Sequence, residues 1–219
     1  MNLYEDKPVS YFSNIRHDLI SLIPPNRMYK ILEIGAGGGD TLLKLKSNGL
    51  ANEVTGIELM EIPGSNQKNK EIDKFYFGDI ETEDFSLEPG WYDVIICGDV
   101  LEHLVDPWTV VNKLTASLAG GGILIISCPN FRYFKSFVEV QLKGSFRYTG
   151  EGLFDKTHLR FFCKKDLKNL AESAGLKVKE MVPLFKLLRP NETYFLNWIT
   201  FGLFEQLLSL QYAVVARKE

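Results

Sequence analysis

A chain of 219 residues that is 45% apolar and 24% charged has the composition of a folded globular protein, which excludes extended disorder. Its formal net charge of -3 gives no general attraction for nucleic acid, so nucleic acid is an unlikely partner and any basic surface must be local. Cys97, Cys128 and Cys163 are odd in number, widely spaced and free of any C-x-x-C pair, which argues against a disulfide scaffold or a cysteine-based zinc site and suits a reducing cytosol.

The opening "MNLYEDKPVSY" is polar and acidic, unlike a signal or transit peptide. No apolar run reaches the roughly 18 residues of a membrane span, so a cytoplasmic location is expected. Phe12, Ile15, Leu19, Ile20 and Ile23 recur at helical spacing and predict a helix from Tyr11 to Ile23, ended by Pro24 and Pro25. "YKILEI" reads as a first strand, and "DTLLKLKSNGL" as a helix capped by Asp40 and closed by Gly49. "EVTGIEL", "KFYFGDI" and "YDVIICGD" supply three more strands, although the crossover between Glu58 and Asp73 holds Pro63 and Gly64 and makes a poor helix. Pro107 opens a helix through Leu118, "AGGG" breaks it, and "ILIISCP" is a fifth strand. Residues 129 to 162 then carry nine aromatics and six Lys or Arg with few strand signals. Helical periodicity returns in "KKDLKNLAESAGL", followed by the strands "KVKEMVPL" and "QYAVVARK", with an apolar stretch from Tyr194 to Leu210 between them. Apolar strands separated by helices require a mostly parallel sheet buried on both faces.

The segment "ILEIGAGGGD" runs a strand into glycines and then a helix, the usual α/β ligand cradle. A dinucleotide fingerprint would need glycine at position 40, where Asp40 stands; an acid at a helix start is a poor neighbour for pyrophosphate. Glu33, Glu58, Asp79 and Asp99 fall at the ends of four consecutive strands. Glu58 follows Gly35 by 23 residues, where a carboxylate can accept both hydroxyls of a ribose, and Asp79 is placed to accept from an adenine amine. A ribose, an adenine and a cationic amino acid portion fit that row.

Together, "ILEIGAGGGD", "VTGIEL", "FGDIE", "YDVIICGDVLEHLVDP" and "GGGILIISCPN" resemble, in order, the motifs of class I S-adenosylmethionine-dependent methyltransferases. The resemblance spans about residues 10 to 183 and implies a Rossmann-like, doubly wound, seven-stranded sheet whose last strand is antiparallel. It implies S-adenosylmethionine as cofactor and S-adenosylhomocysteine as product. Glu33 and the backbone of Gly35, Ala36 and Gly37 would hold the methionine portion, with Gly98, Asp99 and Val100 beside it. Glu58 would take the ribose with Leu59 next to it, and Asp79 with Ile80 the adenine. Similar enzymes of ubiquinone biosynthesis place an arginine against the cofactor, to which Arg16 corresponds, and Tyr11 would line the same mouth.

Methyl transfer from an activated sulfonium draws much of its acceleration from alignment, with a base adding about 10² to 10⁴ for a hydroxyl acceptor. The base candidates are His103 in "LEHL" and His158 in "LFDKTHLRFF", with Asp155 nearby; either imidazole could instead serve only to tie backbone together. The fourth strand lacks the N-P-P-Y or D-P-P-Y signature of amine-methylating DNA enzymes, and no catechol-type set of metal-binding acids stands out, so no metal is expected. "LFDKTHLRFF" resembles bacterial methyltransferases of surface-polysaccharide and glycan biosynthesis, which implies an O-methyltransferase acting on a sugar, glycan or lipid-linked precursor. A quinone-like or other small phenolic acceptor is the alternative, as is a cofactor-binding partner module without catalysis. The chain reads as one domain over 1–219, with 129–162 and about 184–209 as acceptor-side lid or cap elements. In the lid, Arg132, Lys135, Lys143, Arg147 and Arg160 among aromatics could hold a phosphate or carboxylate. Residues 194–210 could form a cap or the face of a homodimer.

Overall fold

A computed structural model describes residues 12–185, 198–200 and 202–219. Seven strands form one sheet: β1 (Tyr29–Ile34), β2 (Ala51–Glu58), β3 (Lys74–Phe77), β4 (Tyr92–Gly98), β5 (Leu118–Pro129), β6 (Lys177–Leu184) and β7 (Gln211–Arg217). Their order is β3-β2-β1-β4-β5-β7-β6, and only β7 runs against its neighbours, pairing antiparallel with β5 and β6. The expected seven-stranded, mostly parallel sheet with an antiparallel last strand is therefore present.

Alternation along each strand divides the core in two. Leu32, Ile34, Ile95, Cys97, Leu124 and Ile126 meet the helices α3 (Pro107–Ser117) and α4 (Lys164–Ser173) on one face. Ile31, Val54, Val94, Ile96 and Ile125 meet α1 (His17–Ile20) and α2 (Asp40–Ser47) on the other. Burial of both faces excludes water from the strands, so polar groups collect at their ends. The pairings Gly98 with Ser127 and Glu58 with Phe77 bring the carboxyl ends of the strands to one edge.

Three local expectations change. The predicted helix over 11–23 is interrupted: among its described residues Phe12 and His17–Ile20 are helical and residues 13–16 are not. There the Phe12 carbonyl accepts from Gly38 N at 2.8 Å, and Arg16 N donates to Thr41 Oγ1 at 3.2 Å. These long-range bonds outweigh the local periodicity. Asp40 is the first residue of α2 and not its cap; Gly39 holds the cap position at φ 87°, a conformation glycine adopts without strain. The "AGGG" stretch belongs to β5, which begins at Leu118 directly after α3. The crossover over 59–73 contains no helix, as its composition suggested.

Residues 129–162 fold back over the carboxyl edge. A helical turn (Phe134–Ser136) runs into a wider π-type helix (Phe137–Leu142), and Tyr133, Leu153 and Phe154 form a small separate core. Leu159 N and Arg160 N both donate to the Glu102 carbonyl, at 2.8 and 2.9 Å, fastening this flap to the turn after β4. Before β7 lies the short helix α5 (Glu205–Leu208), whose Gln206 and Ser209 carbonyls accept from Asn130 Nδ2. Tyr11, residues 194–197 and Phe201 lie outside the described residues; within the rest of the 194–210 stretch, read as a cap or dimer face, Trp198, Ile199, Leu203 and Phe204 are exposed. No helix among the described residues is long and apolar enough to cross a membrane.

Candidate active site at the carboxyl edge of the sheet

A cavity of about 1300 Å³ opens along the strand ends. Every catalytic and cofactor-binding residue expected from the sequence, Tyr11 apart, lines it: Arg16, Glu33, Gly35, Ala36, Gly37, Glu58, Leu59, Asp79, Ile80, Gly98, Asp99, Val100, His103, Asp155 and His158.

The glycine loop leaves no room for side chains. A Cβ on Gly35 would meet Val100 Cγ2 at 2.4 Å, and one on Gly37 would meet the Phe12 carbonyl at 2.5 Å; both have positive φ. Glu58 Oε2 accepts from Gly37 N and its Oε1 from Leu59 N, each at 2.8 Å, so the carboxylate at the end of β2 shapes the loop after β1. Glu33 is 5% exposed, and its Oε2 has no hydrogen-bond partner among the described residues. Burial raises its pKa to about 8, against the pull of the Arg16 charge.

Arg16 reaches Asp99 Oδ2 at 3.0 Å, Ser127 Oγ at 3.1 Å and Asp18 at 2.8 Å, and these acids hold its proton more tightly than usual in spite of burial. Gln211 Nε2 donates to both Asp99 oxygens at 3.0 Å. Asp99, at φ 56°, thus joins the N-terminal segment to β4, β5 and β7.

Beyond Asp99 lie the histidines. Their rings meet edge to face with centroids 4.7 Å apart. His103 Nδ1 lies 3.1 Å from the Thr157 carbonyl and His158 Nδ1 3.2 Å from that of Leu153. A carbonyl only accepts, so both rings carry the proton on Nδ1 and the basic lone pair on Nε2. Burial, reinforced by the neighbouring His158, lowers the His103 pKa to about 4. Asp155 is buried, and its Oδ1 accepts from the amide and hydroxyl of Thr157, the residue whose carbonyl orients His103.

The basic residues expected to meet an anionic acceptor are placed elsewhere. None of Arg132, Lys135, Lys143, Arg147 or Arg160 lines the cavity. Arg132 Nη1 donates to Gln206 Oε1, Lys143 pairs with Glu139, and the Arg160 guanidinium holds the Val105 carbonyl. Most flap aromatics pack on one another: Phe131, Phe146, Phe154 and Phe161 have centroids 5.0 to 6.2 Å apart.

Sequence reasoning missed Glu102 and Gln67. Glu102 is 2% exposed on the turn Leu101–His103, and neither carboxylate oxygen has a hydrogen-bond partner among the described residues. One of its oxygens and one nitrogen from each of His103 and His158 lie within 4.8 Å of one another. The signal was its place directly before His103, itself a candidate base. Gln67 is 2% exposed in the irregular crossover; it donates to the Gly37 and Met60 carbonyls and accepts from Ile62 N. Nothing in its polar surroundings marked it.

A doubly wound sheet with an antiparallel β7, a glycine cradle and carboxyls at successive strand ends defines a nucleoside-binding α/β enzyme. Residues 10–181 match the family described as "Methyltransferase domain", and the chain belongs to it as a class I S-adenosylmethionine-dependent methyltransferase. Over 199 residues it is 27% identical to the ubiquinone biosynthesis O-methyltransferase of Thiobacillus denitrificans, covering 84% of this chain and 82% of that one. A SAM-dependent methyltransferase of Archaeoglobus fulgidus shares the fold at TM-score 0.62 and 18% identity, covering 93% and 91% of the two chains. So does the Burkholderia thailandensis 1,6-didemethyltoxoflavin-N1-methyltransferase, solved with 1,6-didemethyltoxoflavin and S-adenosylhomocysteine, at TM-score 0.60 and 18% identity, covering 99% and 81%. The protein is an enzyme that uses S-adenosylmethionine, which sets aside the reading as a module without catalysis.

Proposed function

We propose that the enzyme methylates a hydroxyl on an uncharged, largely apolar acceptor, a quinol-like or other phenolic ring. The observation that carries this reading is the pair of imidazoles, His103 and His158, meeting edge to face on the wall of a cavity that also presents apolar groups. Leu104, Pro129, Leu153, Val182, Pro183, Leu184 and Leu210 line that region, a surface suited to a ring more than to a sugar's many hydroxyls. The flap cations that could meet a sugar phosphate lie off the cavity lining, which weakens the glycan reading. The relation to ubiquinone O-methyltransferases supports the phenolic one.

In this reading the whole chain is one domain and the flap over 129–162 is the acceptor lid. Glu33 fits the cofactor's ammonium: a buried carboxyl with an orphan oxygen gains a partner when a cation arrives. Glu58 offers its remaining lone pairs to the ribose, and Asp79 with Ile80 frames the adenine. The backbone of Gly35 to Gly37 and of Gly98 to Val100 clears the methionine portion, with Arg16 and Leu59 at its sides. The bound cofactor supplies an electrophilic methyl group. His103 or His158 takes the acceptor's proton at Nε2, and Asp155 keeps His103 oriented through Thr157.

The test is a panel of catechols, quinols, nucleotide sugars and glycolipids incubated with labelled S-adenosylmethionine, with methyl incorporation read by mass spectrometry. Labelled phenolic ether is expected. Labelling of sugars alone would overturn the acceptor assignment.

A further inference from the structure

Glu102 is the buried group that this chemistry leaves unused. It stands on the cavity wall; among the described residues neither oxygen has a close hydrogen-bond partner, the Cys128 thiol facing it as a weak donor, and one oxygen lies within 4.8 Å of a nitrogen on each imidazole. A buried carboxyl with no stronger donor than a thiol keeps its proton, unless a cation comes to lie near it. We propose that Glu102 is a cofactor-gated base: it gives up its proton when the positively charged methyl donor binds, and it takes the acceptor's proton as the methyl group leaves sulfur. This rests on the reading of the cavity given above.

The groups facing Glu102 favour such a gate. Asp99 at the end of β4 adds negative charge and, with burial, holds the Glu102 proton on in the ligand-free protein; Arg16 pulls the other way from the N-terminal segment. The Cys128 thiol on β5 is itself kept protonated by burial and by Glu102. His103 is neutral, and His158 and Asp155 complete the flap side. The positive charge that the methyl donor adds to this cluster is that of the sulfonium. In the reaction the carbon–sulfur and oxygen–hydrogen bonds break and the carbon–oxygen bond forms. The sulfur becomes a neutral thioether, and the released proton passes by way of an imidazole to the Glu102 carboxylate. Loss of the sulfonium restores the preference of Glu102 for its proton, so the charge change on sulfur itself drives the capture.

S-adenosylmethionine and S-adenosylhomocysteine share the ammonium that faces Glu33 and differ at sulfur by one methyl and one positive charge. Proton release on binding, measured by calorimetry at pH 7 in buffers of different ionisation enthalpy, therefore isolates groups that respond to the sulfonium. S-adenosylmethionine should release between about half a proton and one proton more per site than S-adenosylhomocysteine. Glu102→Gln should bind both and abolish the difference. Equal proton counts in the wild type, or an undiminished difference in Glu102→Gln, would overturn the gate while leaving the cofactor site intact. Loss of the difference after dialysis against EDTA would also overturn it, since the carboxylate would then be serving a metal ion. Binding of neither compound would overturn the cavity reading and the gate together.

Discussion

Glu58 acts on both the loop and the ligand. Two of its lone pairs already hold Gly37 N and Leu59 N, so its removal slackens the glycine loop as well as deleting ribose contacts. Glu58→Ala should weaken S-adenosylmethionine and S-adenosylhomocysteine alike by ten- to hundredfold, from hydrogen bonds worth about 1.5–3 kcal/mol. Calorimetry showing unchanged affinity in a folded variant would remove Glu58 from the site. Two other residues set the pH response. Glu33 rises from 4.5 to about 8, so the folded protein binds that proton more tightly than the unfolded chain. Its contribution to stability is full below pH 4.5 and lost as pH climbs through 8. His103 falls from 6.5 to about 4, so its contribution is present above pH 6.5 and lost as pH drops through 4. Thermal melts of the ligand-free protein from pH 5 to 9 should decline on the alkaline side, and Glu33→Gln should flatten that decline. Should His103 be the base, the acid limb of kcat/KM should lie near pH 4, and His103→Ala should keep cofactor affinity while losing about 10² to 10⁴ in turnover. An acid limb well above pH 4 would show that His103 is not the base.

Among the elements, strands were legible and the segments that cross their ends were not. "YKILEI" and "VIICG" carry apolar residues on both faces, which only a buried strand satisfies, and their polar ends announced Glu33 and Asp99. The N-terminal segment misled because Phe12, Ile15 and Leu19 share a helical period, yet Phe12 and Arg16 are captured by the glycine loop and by Asp99. Such bonds span 83 residues between Arg16 and Asp99 and leave no trace in local periodicity. The crossover over 59–73 is held by Gln67 in place of a helix. Gln67→Ala strands the Ile62 amide and the Gly37 and Met60 carbonyls, and should cost roughly 1–3 kcal/mol. Urea denaturation would register that loss as a lower midpoint with an unchanged slope. Glu102 stayed hidden for the same reason as Gln67: its burial comes from packing of the flap against the turn, a tertiary fact.

At the scale of the molecule, one polar knot ties the carboxyl edge together. Arg16, Asp99, Ser127 and Gln211 link the N-terminal segment to β4, β5 and β7. Arg16→Ala leaves Asp99 without its cation and opens the cavity beside Gly98, whose Cα faces the Arg16 guanidinium. Stability should fall by about 1.5–3 kcal/mol, the range for hydrogen bonds to charged groups, and cofactor affinity should fall with it. Arg16→Lys should restore charge but not the fork that spans Asp18, Asp99 and Ser127. Matching melting temperatures for wild type and Arg16→Ala would show that the knot does not hold the edge.

The cavity's charge balance bears on how the enzyme sheds its spent donor. Among the described residues, Asp18, Glu33, Glu58, Asp79, Glu81, Asp99, Glu102, Glu151 and Asp155 line it against a single arginine. Such a field favours a ligand with a sulfonium over the same ligand reduced to a thioether, so each turnover weakens the grip on its own by-product. Product inhibition should consequently be mild at pH 8. It should sharpen relative to substrate affinity toward pH 5, as Glu33 and Glu58, whose pKa values burial raises, take up protons and the two ligands come to look alike. Inhibition constants for S-adenosylhomocysteine set against KM for S-adenosylmethionine at the two pH values would measure this, and a ratio independent of pH would show that the chamber is blind to the charge it helps to discharge.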